Sequence, residues 1–235
     1  MTNKKISVAW SGGKDSSLML WKLLSQKKYE IIELHTAINS ESHRVGLHGV
    51  HKELIEAQAK SIGLPIYFME IEASSTNDKY EEATRAYYQT LKTRGIDHVA
   101  FGDIFLEDLK QYRDNLLSEF NLTGIYPLWK QSTQVLAEEF ISLGFRSVIC
   151  ASDASRFPNV LAGNDFTKVL VNNLPETVDP CGENGEFHSF VFDGPIFKSP
   201  LSIRKEAIKE KAYKFKDSND NELTSVFHFC DLKLS

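Results

Sequence analysis

Val8-Ala9-Trp10-Ser11-Gly12-Gly13-Lys14-Asp15-Ser16-Ser17 is the stretch from which the fold of this chain is read. Before it, Ile6 to Trp10 is a short apolar run that reads as a strand. After it, from about Ser16 to Gln26, Leu20, Leu23 and Leu24 recur at helical spacing. The glycine pair therefore stands in the turn from a first strand to a first helix, at the strand's carboxyl end, where open α/β sheets bind ligands. The residue types suit a phosphate chain. Two glycines let backbone N–H groups approach an anion, the helix N-terminus adds partial positive charge, and Lys14 supplies a point charge. Ser11, Ser16 and Ser17 add hydroxyl donors. The spacing matches neither GxxxxGKS/T nor GxGxxG, so the commonest nucleoside-triphosphatase loop and the dinucleotide fingerprint are excluded. A lone glycine pair reads first as a tight turn capped by Asp15 or Ser16. Six such residues in this position favour phosphate.

Working outward, Ile31 to Thr36 reads as a second strand and Val50 to Ile62 as a helix with Leu54, Ile55 and Ala59 on one face, stopped by Gly63 and Pro65. Ile66 to Ile71 is a third strand. Asn77 or Asp78 can cap a helix to about Arg94, with Tyr80, Ala83, Tyr87 and Leu91 as its buried stripe; Val99 to Phe101 is extended. This alternation predicts an α/β fold built on a parallel sheet covered on both faces. It pauses at Thr123 to Pro127. Beyond lie a helix from Ser132 to Ser142, a strand from Ser147 to Ala151, and short aromatic strands at Phe187 to Phe192, Lys211 to Phe215 and Ser225 to Phe229, as in an antiparallel sheet. The expected division is a parallel-sheet domain over residues 1–128 and a smaller α+β domain over 129–235.

The chain has 235 residues, 42% hydrophobic and 25% charged, which is a globular composition with room for a sizeable core. Thirty-two acids against 27 bases give a net charge of −5, so no nucleic-acid partner is expected. No apolar run approaches the roughly 18 residues that cross a bilayer, and Met1 to Lys5 does not open a signal peptide, so a cytoplasmic chain with no membrane partner is expected. Cys150, Cys181 and Cys230 form neither a metal clip nor a disulfide framework.

Ser11-Gly12-Gly13-Lys14-Asp15-Ser16 resembles the SGGKDS loop of the PP-loop ATP pyrophosphatases, the adenine nucleotide alpha hydrolase-like group with a HUP-type sheet. Two further stretches narrow the likeness. Pro180-Cys181-Gly182-Glu183-Asn184-Gly185-Glu186-Phe187-His188-Ser189-Phe190, with Asp193 to Phe197, resembles the C-terminal signature of the diphthine–ammonia ligase family, as does Phe101-Gly102-Asp103-Ile104-Phe105 with its acidic helix start. Leu47-His48-Gly49-Val50 and Phe101 to Asp108 are similar to its shorter, bacterial type. The resemblance implies a ligase that activates a carboxylate as an acyl-adenylate, releases pyrophosphate and lets ammonia form the amide. It implies ATP, with Mg2+, as cofactors. In named members the carboxylate is that of protein-bound diphthine; here a small-molecule acceptor is the other candidate.

The expected site then takes this form. Ala9, Trp10, Ser11, Gly12, Gly13, Lys14, Asp15, Ser16, Ser17 and Gly102 hold ATP, with adenine against the backbone near Ala9, Thr36 and Ala37. Lys14, Asp15, Glu183 and Glu186 act in catalysis. Arg44, which could hold a carboxylate bidentately, faces the acceptor with His48, Asp103, Cys181, Gly182 and Asn184. Asp15 and Asp103 serve magnesium. For Gly182 to Glu186 a solvent-facing hairpin turn is the competing reading; His43, His48 and His51 read as well as capping or surface histidines; Glu107 and Asp108 suit a helix start for its dipole alone. Tyr80, Tyr87, Tyr88, Phe227 and Phe229 read as core. Ammonia comes from solution or a separate donor, and a homodimer is left open. The rivals are a PP-loop tRNA-modifying enzyme, disfavoured by the lack of paired cysteines, and a non-catalytic nucleotide-binding module, disfavoured by Lys14 and Asp15.

Overall fold

The computed structural model describes residues 4–46, 48–72, 77–216 and 222–235. Strand β1 (Lys4–Ala9) enters the glycine turn and leaves as helix α1 (Lys14–Gln26), whose Leu18, Met19, Leu20 and Leu23 are buried. Then follow β2 (Tyr29–Asn39), a two-residue ribbon of β3 (Arg44–Val45) and β4 (Val50–His51), α2 (Lys52–Ile62) and β5 (Ile66–Ile71). α3 (Asn77–Thr93), β6 (His98–Ala100), α4 (Glu107–Ser118) and β7 (Thr123–Ile125) complete the first sheet. Its parallel part runs β5-β2-β1-β6-β7, with the β3-β4 ribbon attached antiparallel to the end of β2. Strand order reverses between β1 and β6, and the loops after those strands open on one crevice, the usual ligand position of such a sheet.

The remaining chain supplies α5 (Thr133–Ser142), β8 (Arg146–Asp153), α6 (Lys168–Asn172), β9 (Phe187–Asp193), β10 (Ile203–Lys216) and β11 (Glu222–Leu234). Its four strands form an antiparallel sheet in the order β10-β11-β8-β9. The fold is thus the expected α/β class, a parallel-rich sheet with a second, smaller one. Ser132 caps α5 by accepting from Val135 N.

One apolar cluster runs through both sheets, joining Ile6, Val8, Trp10 and Leu20 to Phe140, Val148, Phe187 and Phe190. A second cluster gathers Tyr87, Tyr88 and Leu91 of α3, Leu116 and Leu117 of α4, and Val99 and Phe101. Tyr87 and Tyr88 are core, as expected.

Several local expectations are corrected. Val50 and His51 belong to β4, because Val45 and Arg44 pair with them, and α2 begins only at Lys52. The pause at Thr123 conceals a fifth parallel strand of three residues, too short to show periodicity. The last two strands run 14 and 13 residues as a long ribbon, because pairing along almost their whole length carries the charged stretch from Arg204 to Lys211 into the sheet. α3 does open at Asn77, whose side chain, with its expected cap, lies outside the described residues, as does Leu47.

Candidate active site

The glycine turn is tied down from four directions. Gly12 has φ of 79°, and a Cβ there would stand 2.7 Å from Gln58 Oε1 and from Ile55 Cδ1, so only glycine fits without displacement. Gly12 O accepts from Val191 N of β9 at 2.9 Å and from Gln58 Nε2 at 3.0 Å. Gln58 is fully buried on α2; its Nε2 also donates to Val191 O at 2.6 Å, and its Oε1 accepts from Trp10 Nε1 at 2.9 Å. One side chain thus clasps the loop, the first helix-bearing layer and the second sheet. Lys14 N donates to Ser189 Oγ at 3.1 Å, and Ser16 Oγ donates to Gly13 O at 2.9 Å. Gly102, after β6, passes so close that a Cβ would sit 3.2 Å from the Asp15 carbonyl carbon.

These elements wall a cleft of about 520 Å³, within the range of small-ligand sites. Ala9, Trp10, Ser11, Gly13, Lys14, Asp15, Ser16, Thr36, Ala37 and Gly102 line it, as do His48, Asp103, Gly182 and Glu183. The structure therefore gathers most of the expected nucleotide set around one space. Gly12 turns its α-carbon toward α2, and Ser17 is buried in the first turn of α1, so both act behind the loop.

Lys14 is only 4% exposed; its Nζ lies 2.8 Å from Asp15 Oδ2 and 5.3 Å over the Phe187 ring. Burial alone would lower its pKa, but Asp15, at hydrogen-bond distance, and Glu183 reverse the sign and hold it above the ordinary value. Burial raises Asp15, with Lys14 opposing. Glu183 crosses from the second half of the chain to the loop after β6, where its Oε1 accepts from Ile104 N at 2.7 Å. Burial pushes its pKa up to about 7, against the opposing Ile104 N–H. His48 packs against His188 with ring centroids 4.6 Å apart; burial first, then His188 and Lys14, lowers His48, and burial with Lys14 lowers His188 to about 4.

Other expected residues stand elsewhere. Arg44 is not brought to the cleft: NH1 and NH2 each lie 3.0 Å from an oxygen of Asp231, NH1 also donates to Gly49 O, and the side chain lines a separate cavity. Glu186 is buried inside its own turn, where Oε1 accepts from Asp179 N at 3.0 Å and Asn184 Nδ2 at 3.1 Å. Asn184 thus serves the turn as well. Cys181 donates its thiol to Thr133 O at 3.3 Å, and burial keeps that thiol protonated, unlike a reactive cysteine. His51 holds the N-cap position of α2 without a side-chain bond, and Glu107 pairs with Lys130 at an exposed surface.

Asp15 and Asp103 are both held in ion pairs rather than in a protein-built metal cage. Each already faces a cation of this chain, Lys14 Nζ at 2.8 Å and Arg113 Nε at 2.9 Å, and no cluster of three or more ligating side chains occurs among the described residues.

The sequence reading missed Gln58, His35, Arg113, His188, Ser189, Tyr80 and Tyr88, the last six of which line the cleft. Gln58 carries a local signal, a polar residue one turn from Leu54 in the apolar stripe of a helix. Arg113, 4.6 Å over the Phe101 ring, carries none.

A profile described as the diphthamide synthase N-terminal domain matches residues 4–123, and one described as the diphthamide synthase C-terminal domain matches residues 132–219. The chain belongs to the diphthamide synthase family. Its PP-loop and ligase features are those of that family, whose enzymes form an amide at the expense of ATP. The diphthine–ammonia ligase of Danio rerio is 27% identical over 215 residues, covering 82% of this chain and 84% of that protein. The Homo sapiens diphthine–ammonia ligase is 23% identical, covering 85% of this chain and 82% of that one. The Schizosaccharomyces pombe enzyme is 23% identical over 85% of this chain, but this chain spans only 36% of its length. The U34-tRNA thiolase NcsA from Methanococcus maripaludis, solved with its 4Fe-4S cluster, overlaps with a TM-score of 0.38 at 18% identity, over 61% of this chain and 58% of that chain, and adds nothing to the fold described above. No helix of the described residues is long and apolar enough to cross a membrane.

Proposed function

We propose that this chain is a carboxylate–ammonia ligase of the diphthine–ammonia ligase type, working in the cleft between the glycine turn and the Gly182–Glu186 turn. The observation that carries the reading is the bond pattern joining those turns: Val191 N to Gly12 O, Ser189 Oγ to Lys14 N, and Glu183 Oε1 to Ile104 N. A phosphate-type loop and an acidic turn from the far end of the chain thereby face one space. In this reading residues 1–128 supply the nucleotide half and 129–235 the acceptor half.

The chemistry proceeds in two steps. The acceptor carboxylate attacks the α-phosphorus of ATP, forming an acyl-adenylate and releasing pyrophosphate. Ammonia then attacks the acyl carbon, AMP leaves, and one proton is given up. Lys14 neutralises charge that develops on the departing pyrophosphate, as a fixed cation in a dry site does effectively. Glu183, poised near neutrality, takes the proton lost from nitrogen. Gln58 and Ser189 hold the loop; Glu186 holds the turn that presents Glu183. The acceptor is protein-bound diphthine or another carboxylate, with ammonia from solution or a separate donor.

The test is pyrophosphate release from ATP in the presence of ammonium and diphthine-bearing elongation factor 2, against ammonium alone and tRNA alone. Release that requires the protein carboxylate supports the reading. Release that follows tRNA overturns it.

A further inference from the structure

His35, in the carboxyl half of β2, is 4% exposed and lines the cleft beside Thr36 and Ala37. Its Nδ1 begins a chain of buried hydrogen bonds that the chemistry above does not use. Nδ1 lies 2.8 Å from Ser7 Oγ, Ser7 Oγ lies 2.7 Å from the Tyr87 hydroxyl, and that hydroxyl donates to Glu33 Oε1 at 2.8 Å. Glu33 in turn receives both ends of a guanidinium, Arg94 NH1 on Oε1 at 3.0 Å and NH2 2.8 Å from Oε2. Ser7 and Tyr87 are buried away from water.

The direction of every proton in this chain follows from its far end. A carboxylate clamped by arginine is ionised and only accepts. Tyr87 therefore gives its single proton to Glu33, and its oxygen accepts from Ser7. Ser7, with its proton on Tyr87, accepts from His35. The hydrogen of His35 is thus on Nδ1. Burial, reinforced by the Arg113 charge, keeps the ring neutral to about pH 3, so Nε2 carries a bare lone pair. Tyr87 also packs against the ring, with centroids 4.8 Å apart, which fixes its orientation.

We propose that His35 Nε2 reads the nucleoside in the cleft by accepting a hydrogen bond from one of its neutral donors, a ribose hydroxyl or the 6-amino group, and that the Ser7–Tyr87–Glu33–Arg94 chain keeps it an acceptor. This rests on the reading that the cleft takes ATP. Sites built around one such bond reject analogues lacking the donor, because the protein group is left unpaired.

The test has two arms. In the first, nitrogen NMR on the free protein reads the tautomer of His35; Nδ1 protonated and Nε2 bare is the expected result, and Nε2 protonated overturns the proposal whatever binds. In the second, calorimetry compares ATP with 2′-deoxy-ATP, 3′-deoxy-ATP and purine riboside triphosphate, which lacks the amino group. One of the three binds about tenfold more weakly to the wild-type protein, and which one identifies the donor. His35→Phe loses the same factor for ATP and no longer distinguishes that analogue. Tyr87→Phe, outside the cleft, frees Ser7 to donate to Nδ1 and moves the ring proton to Nε2, as the nitrogen spectrum reads; it weakens ATP alike where the donor is the 6-amino group, which cannot accept in return, and less where it is a ribose hydroxyl, which can. Equal binding of all four nucleotides to the wild type, or unchanged ranking in His35→Phe, overturns the role of His35 while leaving the ATP reading in place. Binding of none of them overturns both.

Discussion

Lys14 has no room to be a surface lysine: it is packed over Phe187 and paired to Asp15 inside the cleft. Removing its charge takes away stabilisation made as pyrophosphate departs, so Lys14→Ala lowers kcat by roughly 100-fold or more, while nucleotide affinity changes less. Single-turnover pyrophosphate release checks this; wild-type turnover would make the lysine structural. Glu183 gives a sharper test, because its pKa moves from the ordinary 4.5 to about 7. As a base it works only when ionised, so kcat/KM rises with pH through about 7, and Glu183→Gln removes that limb together with most of the rate. Stability has the opposite sign. The folded protein holds this proton more tightly than the unfolded chain, so the contribution is fully present below pH 4.5 and is lost as pH rises through about 7. Urea melts of the wild type and Glu183→Gln across that window should converge at low pH and part at high pH. At this scale the sequence disclosed residues whose role is local. Lys14 sits in a contiguous motif, and His188 lies in the quoted Pro180–Phe190 signature although nothing there marks its own role, but Arg113 reaches the cleft only because distant elements pack there, and nothing in its neighbours along the chain marks it.

α2 shows how an element carries both stability and site. Its C-terminus was legible: Gly63, with φ of 86°, donates its N–H to Ala59 O, the expected left-handed stop before Pro65. Its start was not, because Val50 and His51 continue an apolar-looking run but pair with Arg44 and Val45. What the periodicity marked as merely buried contains Gln58, which satisfies Gly12 O, Val191 O and Trp10 Nε1 together. Gln58→Leu keeps volume but removes the partner of Trp10 Nε1 and of Val191 O and leaves Gly12 O with Val191 N alone, at about 2–4 kcal/mol of unfolding free energy. Denaturant titration should record that loss. Nucleotide affinity should fall as well, since the loop loses its clasp to α2 and keeps only its direct bonds to β9. A variant as stable as wild type would mean that the clasp is redundant. β7 and the β3-β4 ribbon were illegible for a different reason: three- and two-residue strands are made by their partners and have no period of their own.

Across the whole molecule, the parallel order was readable because each strand–helix unit repeats the same pattern, and the turn at the first unit marks the carboxyl edge of the sheet. The joining of the two sheets was not readable. It depends on Val191, Ser189 and Glu183 meeting Gly12, Lys14 and Ile104 across long stretches of chain, 175 residues for Ser189 and Lys14 and 79 for Glu183 and Ile104, and on an apolar cluster that continues from Trp10 to Phe190. That junction makes the glycine turn one wall of a reaction cleft rather than an isolated anion loop. The direct measurement is a crystal structure with α,β-methylene ATP, which cannot be cleaved at the reacting bond. The account predicts its triphosphate on Gly13, Lys14 and Ser16, adenine beside Thr36 and Ala37, and the α-phosphorus facing Glu183 within reach of one bridging water. A triphosphate bound away from the glycine turn, or a Glu183 turn too far from the α-phosphorus for a single water to span, would contradict it.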